Sequence, residues 1–157
     1  MMASIISLPL EMMWKNSPVV RLSFADTSFF AMMDSGTMMP MYFGNQNVLE
    51  KVLNGRVLDE EVTLRGANGK TASYRVVACS VIVDKTTFPN MKMAWLPDSD
   101  FQFQFLLSYT MFRDCRIILD DMNGQFEVYA EQVADMYLRT PYIVKGNGNT
   151  YSLCTNM

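Results

Sequence analysis

The stretch "PVVRLSFADTSFFAMMDSGT", residues 18–37, decides the fold interpretation because it joins two apolar segments and ends on a carboxylate. From Val20 to Phe24 apolar residues alternate with polar ones, which is the period of a half-buried strand. The letters "ADTS" are turn formers, and the run Phe29 to Met33 predicts a more deeply buried return strand. The sequence therefore predicts a hairpin that presents Asp34 at its end.

The composition indicates one globular domain over residues 1–157, since half of the 157 residues are hydrophobic. The net charge is −3 and the 13 Lys and Arg residues are scattered, so we expect no nucleic-acid partner. The longest apolar runs are much shorter than the roughly 20 residues that cross a bilayer, so we expect no membrane partner.

Histidine is absent from the chain, which excludes Ser-His and Cys-His catalytic pairs and leaves Asp and Glu as the acid and base groups. The three cysteines, Cys79, Cys115 and Cys154, are far apart and odd in number, as in proteins with reduced cytosolic thiols. The first residues lack the basic segment and small-residue cleavage site of an export signal. We therefore expect a cytoplasmic protein.

Several short apolar segments separated by turn signals predict an all-β or mostly β domain. Apolar residues from Val48 to Leu53 have helical spacing, with Asn47 as N-cap and Gly55 as the stop, which predicts a short helix. Two β-rich runs flank Gly66 and the pair Asn68-Gly69, which predicts a second hairpin with an exposed tip.

The second half of the chain also contains strand and turn signals. Two prolines in the segment Thr86 to Asp100 predict a surface connection, and Phe101 to Leu107 predicts a strand. Ser108 is a candidate N-cap for about two turns of helix. A strand, an Asn-Gly turn and a second strand are predicted over Arg116 to Ala130, and the tail 132–157 contains one further hairpin signal.

Asp-Ser-Gly-Thr at residues 34–37, following an apolar strand, resembles the active-site signature of aspartic proteases. The order of features is similar to that of the single-domain, retroviral-type branch, the retropepsins: a hairpin feeding Asp34, a hairpin at the position of the family's flap, and the late block "FLLSYTMFRDCRIILDDMNGQFEV". The resemblance covers about residues 18–128 and leaves 132–157 as a C-terminal extension of unclear role.

This resemblance implies a small closed all-β barrel with one or two short helices, and the activity of an aspartic endopeptidase that needs no metal or other cofactor. In such chemistry one carboxylate takes a proton from water while a neighbouring carboxylic acid donates to the peptide carbonyl, so two Asp side chains must share one proton. The chain contains a single Asp-Ser/Thr-Gly sequence. The second carboxylate must then come from another copy, which predicts a two-fold homodimer that acts on peptide or protein substrates.

The resemblance also assigns roles to the motif residues. Asp34 is the catalytic carboxylate, and the Ser35 hydroxyl would lock the two loops across the dimer. Gly36 would allow a tight turn that brings its amide near the carboxylate, and Thr37 would donate to that carboxylate. The flap residues expected to bind substrate are Arg65, Gly66, Ala67, Asn68 and Gly69.

Other interpretations stay open. The family has glycine where this chain has Ser108, and the flap segment is poor in glycine, which favours a non-catalytic peptide-binding or dimerisation module on the same fold. Asp34 could also be an ordinary turn residue of an unrelated small β-protein, because Asp-Ser-Gly is common turn chemistry. The adjacent acids Asp120 and Asp121 could suggest a metal site, but solvation at a strand end explains them better.

Overall fold

The computed structural model describes residues 3–14, 17–24, 26–34, 36–66, 68–112, 115–130, 143–144 and 150–152. Within these residues the chain forms strands, one short α-helix, α1 (Gln46–Lys51), and one 3₁₀ helix (Tyr109–Phe112). The strands are β1 Ala3–Pro9, β2 Met12–Trp14, β3 Ser17–Phe24, β4 Thr27–Asp34, β5 Met41–Tyr42, β6 Arg56–Arg65, β7 Thr71–Val83, β8 Thr86–Trp95, β9 Phe105–Ser108, β10 Arg116–Asp120, β11 Gln125–Ala130, β12 Ile143–Val144 and β13 Thr150–Ser152. The prediction of an all-β protein with one or two short helices is confirmed.

Strands β3 and β4 form the hairpin that the alternating pattern predicts. Val20 pairs with Ala31 and Leu22 with Phe29 in antiparallel register. The side chains of Val20 and Leu22 are fully buried, whereas Arg21 between them is exposed. Because burial alternates from Val20 to Phe24, the register of the hairpin is fixed, and with it the position of the last residue of β4.

Two sheets build the fold. The smaller has the order β1-β11-β10, and the larger has the order β12-β13-β6-β7-β8-β5-β9-β4-β3-β2. Among the described strands, the pairings of the larger sheet run from β12 to β2 without returning on themselves, whereas a closed barrel was expected. The hairpin predicted in the tail corresponds to the antiparallel pair β12 and β13, while 131–142, 145–149 and 153–157, with Cys154, lie outside the described residues.

The prediction of a surface connection from Thr86 to Asp100 is wrong, because most of this segment is β8, which lies between β7 and β5 in the larger sheet. The register of β7 and β8 shifts between Cys79 and Val81, and Asn90 has a φ of 51° at the irregularity. Pro89 lies beside it. A bulge lets a sheet interior accept proline, so the proline does not end the strand.

The predicted short helices exist with different boundaries. The N-cap of α1 is Asn45 rather than Asn47, since its side chain accepts a hydrogen bond from the Val48 amide at 2.8 Å. The helix ends at Lys51, before the predicted stop at Gly55. The helix after β9 is one 3₁₀ turn, and residues 113–114 lie outside the described residues.

Buried core residues pack at the end of β4. Strand β9 lies parallel to β4, with Met33 paired to Leu107 and Asp34 to Ser108. The side chains of Met33, Leu107 and Met111 are buried in the main apolar cluster, which includes residues of both sheets. The backbone at Asp34 therefore starts from a closely packed base.

Candidate active site

Asp34 is the last residue of β4, and its side chain is half-buried. The Gly36 N–H donates to the Asp34 Oδ1 at 2.8 Å. A Cβ atom added at Gly36 would lie 3.2 Å from the same oxygen, which is tighter than nine in ten real Cβ contacts. The chain thus turns closely around the carboxylate and forms a charge-assisted hydrogen bond with it, as the sequence predicted for Gly36.

Thr37 does not act as predicted. Its hydroxyl donates to the Met39 carbonyl at 3.0 Å rather than to the Asp34 carboxylate. This bond joins two residues of the same loop and is a local side-chain to backbone contact of the kind that shapes turns. Ser35, the predicted link between loops, lies outside the described residues.

Ser108 occupies the position at which the resemblance expects glycine, and its side chain is fully buried. Its Oγ donates to the Thr37 carbonyl at 2.8 Å and lies 2.6 Å from the Thr110 Oγ1. The Thr110 N–H donates to the Ser108 Oγ at 3.1 Å, and the Thr110 hydroxyl also lies 3.3 Å from the Met38 carbonyl. The serine is therefore accommodated with hydrogen bonds and contacts the segment that follows Asp34.

Tyr109 is a neighbour of Asp34 that the sequence interpretation missed. Burial raises the pKa of the half-buried Tyr109 phenol, and the negative charge of Asp34 raises it further. The phenol therefore stays protonated at neutral pH. Only the parallel register of Asp34 with Ser108 could have revealed this proximity, because the two segments are distant in sequence.

The β6–β7 hairpin carries the predicted substrate-binding residues at its tip. Within the loop, the Gly66 N–H donates to the Lys70 carbonyl at 2.8 Å, and the Lys70 N–H donates to the Asn68 Oδ1 at 2.9 Å. Gly69 has a φ of +80°, so the predicted Asn-Gly turn is present. Arg65, Gly66, Asn68 and Gly69 are exposed, and Ala67 lies outside the described residues.

A cavity of about 270 Å³ lies against this hairpin. Its wall contains Leu64 of β6, Ala72 and Tyr74 of β7, and Met41 of β5, the strand that follows the Asp34 segment. Arg65, Gly66 and Asn68 also line it. An open pocket with an apolar wall can receive a side chain of an extended peptide.

Asp120 and Asp121 form no metal site with other residues in the described part of the chain, where no group of three potential ligands occurs. The Asp120 carboxylate accepts hydrogen bonds from the Asn123 backbone N–H at 3.0 Å and the Asn123 side chain at 2.7 Å. These bonds lower the pKa of Asp120. In the same described part, no helix is both long and apolar enough for a membrane crossing.

A comparison with solved structures finds a retropepsin-like aspartic protease from Rickettsia conorii, with a TM-score of 0.52 and 14% sequence identity. The match covers 82% of this chain and 95% of that protein. No protein-family model matches the chain, and no curated protein sequence does. The likeness establishes that this chain has a retropepsin-like all-β fold.

Proposed function

We propose that this chain is an aspartic endopeptidase of the retropepsin type, which hydrolyses peptide bonds with a pair of Asp34 side chains formed across a homodimer. The observation that carries the proposal is the Gly36 N–H on the Asp34 carboxylate at 2.8 Å, at the end of a buried strand of a retropepsin-like fold. An acid in an ordinary surface turn would not need closely packed, buried residues beneath it.

The chemistry requires a second carboxylate. One Asp34 removes a proton from water while its protonated mate donates to the peptide carbonyl, so the two carboxyl groups lie about 3 Å apart. Repulsion between like charges keeps one proton on the pair. Because the chain has one Asp-Ser-Gly-Thr sequence, a second copy of the chain supplies the mate.

The substrate is an extended peptide or protein segment that lies between the Asp34 pair and the β6–β7 hairpins. Arg65, Gly66, Ala67, Asn68 and Gly69 act as the flap, and the cavity beside Leu64 and Tyr74 receives one substrate side chain. Ser35 links the two Asp34 loops across the dimer axis. The enzyme works in the cytoplasm and without cofactor.

The central experiment compares Asp34→Asn with Asp98→Asn, an identical change at an exposed acid of a surface segment. Cleavage of an unfolded polypeptide is followed from acidic to neutral pH. We expect Asp34→Asn to lower kcat by about 10³-fold or more, because the paired groups act as a unit, and Asp98→Asn to leave it unchanged. Cleavage that survives Asp34→Asn would contradict the mechanism.

Subunit mixing tests the dimer separately. With a ninefold excess of Asp34→Asn chains that exchange freely, about a tenth of wild-type chains remain in wild-type dimers, so activity falls to about a tenth. A monomeric enzyme would keep its full activity in the same mixture.

A peptide-binding or dimerisation module is the second candidate, and the small number of glycines in the exposed hairpin loop favours it. In that case a peptide binds without being cut, and Asp34→Ala leaves its Kd unchanged.

A further inference from the structure

A buried hydroxyl lies beside the candidate catalytic aspartate, at the position where the retropepsin resemblance expects glycine. Ser108 is fully buried and is the register partner of Asp34 in the parallel pair β4 and β9. A buried hydroxyl without partners would destabilise the fold, so its hydrogen bonds determine what the side chain does.

The hydrogen bonds of Ser108 can be assigned by counting protons. The single hydroxyl proton goes to the Thr37 carbonyl at 2.8 Å. The Ser108 oxygen then accepts from the Thr110 N–H at 3.1 Å and from the Thr110 hydroxyl at 2.6 Å. One donated and two accepted bonds use the full capacity of a hydroxyl group.

The Thr110 hydroxyl also has one proton and two acceptors within reach, the Ser108 Oγ at 2.6 Å and the Met38 carbonyl at 3.3 Å. The shorter contact takes the proton, and the Met38 carbonyl is its alternative acceptor. Ser108 therefore binds the Thr37 carbonyl directly, and Thr110 orients the Ser108 hydroxyl and lies beside the next carbonyl, that of Met38.

These two carbonyls belong to the segment that turns around the Asp34 carboxylate. Gly36, whose N–H binds the Asp34 Oδ1, directly precedes Thr37. Any shift of the Thr37 and Met38 backbone is passed on to the Gly36 amide, and through it to the carboxylate.

We propose that Ser108 and Thr110 are positioning residues: Thr110 orients the buried Ser108 hydroxyl, and this hydroxyl clamp fixes the Asp34 carboxylate through the backbone of Thr37. This inference rests on the proposed proteolytic function for its effect on catalysis. Two carboxylates that share a proton tolerate little displacement, and a misplacement of about 1 Å can reduce the rate by about 10²-fold.

The test uses a pair of substitutions at Thr110. Thr110→Val keeps the shape and removes the hydroxyl, whereas Thr110→Ser keeps the hydroxyl and removes a methyl group. We expect Thr110→Val to lower kcat by about tenfold to a hundredfold with KM little changed, and Thr110→Ser to restore most of it. Ser108→Ala, which removes the donor to the Thr37 carbonyl, is a second variant with the same expected split between kcat and KM.

Thr86→Val is the matched control. Thr86 is buried, and its hydroxyl donates to the Ile5 carbonyl at 2.9 Å, which joins β8 to β1. The substitution removes the same kind of bond from the start of β8, where Thr86 pairs with Val83 of β7. We expect Thr86→Val to lower the Tm as Thr110→Val does and to leave kcat unchanged below that temperature.

Hydrogen exchange of the Gly36 amide, measured by NMR, gives a readout that does not require activity. We expect faster exchange in Thr110→Val than in Thr110→Ser or Thr86→Val. If kcat and Gly36 exchange both stay at wild-type values while Tm falls as in Thr86→Val, the clamp is only structural and the inference is overturned. If wild-type protein shows no Asp34-dependent cleavage, the proposed function fails, and the exchange result alone decides whether the clamp holds the carboxylate.

Discussion

The segment after Asp34 and the tip of the β6–β7 hairpin are both short, glycine-containing connections, but different parts of the protein hold them. We call residues 36–40 the Asp34 loop. Its Thr37 carbonyl accepts a hydrogen bond from the buried Ser108, and Thr110 lies 3.3 Å from its Met38 carbonyl. Both residues come from a segment some 70 residues further along the chain. Its shape is therefore imposed by the core.

We call residues 66–70 the flap loop, after the role proposed for them, and their hydrogen bonds lie within the loop itself. Its hydrogen bonds join Gly66 to Lys70, Lys70 to Asn68 and Gly69 to Gly66, all inside the described part of the loop. The side chains around it are exposed. Exposed loops with few buried contacts open at low free-energy cost, so the flap loop can move while the Asp34 loop stays fixed. A catalytic group needs a fixed position, and a segment that admits substrate needs mobility.

The largest expected difference between the two loops comes from a glycine-to-alanine substitution in each. Cβ atoms added at Gly36 and at Gly66 would each lie 3.2 Å from a side-chain oxygen, that of Asp34 in the first case and that of Asn68 in the second. We expect Gly36→Ala to lower kcat of proteolysis by about 10²-fold, because the oxygen that must move belongs to the catalytic carboxylate.

Gly66→Ala is the matched comparison, because the Asn68 side chain is exposed and can move aside. We expect this variant to change KM by a few-fold at most and kcat still less. Steady-state kinetics of both variants measure the contrast, and equal losses of kcat would show that the two loops are equally rigid.

The second prediction concerns β7, the strand that leads from the flap loop into the apolar core. Burial raises the pKa of the Cys79 thiol of β7 to about 12. In the unfolded chain a thiol ionises near pH 8.5, so between about pH 9 and 12 the folded state keeps a proton that the unfolded state has lost. The free energy of unfolding therefore falls as the pH rises through this window. The contribution of the Cys79 thiol to stability is fully present only below it.

We expect the free energy of unfolding to fall through this window by up to about 1.4 kcal/mol per pH unit more in wild type than in Cys79→Ala. Urea unfolding at pH 8, 10 and 11 measures the difference. Tyr42, whose pKa burial and the nearby Cys79 raise to about 12, contributes in both proteins. If the free energy of unfolding falls equally with pH in the two proteins, the Cys79 thiol is accessible to solvent in the folded state.

The local parts of this architecture could be predicted from sequence because short-range physics determines them. Alternation in β3 and the Asn-Gly turns at Asn68-Gly69 and Asn123-Gly124 each depend on a few neighbouring residues. The motif at Asp34 could be found for the same reason, together with the approach of the Gly36 amide.

The long-range parts could not be predicted in this way. β8 was missed because a bulge that accepts Pro89 depends on the partner strand, which the local sequence does not specify. Ser108 looked like a misfit because its acceptor, the Thr37 carbonyl, is 71 residues away and is reached only through the β4–β9 register. Thr37 was assigned to the carboxylate because the competing Met39 carbonyl becomes visible only in the folded loop.

The smallest expected effect tests the backbone conformation of the flap loop separately from its side-chain contacts. Gly69 has a φ of +80° and no atom within 4 Å of an added Cβ, so a substitution there meets only backbone strain. We expect Gly69→Ala to lower the free energy of unfolding by about 1 kcal/mol, and Gly69→Asn by less, because asparagine tolerates left-handed backbone conformations. Urea unfolding measures both variants, and kcat should change little in either. Equal losses of stability in the two variants would mean that the side chain, rather than the backbone angle, limits this position, and the flap loop would then be more closely packed than its exposure implies.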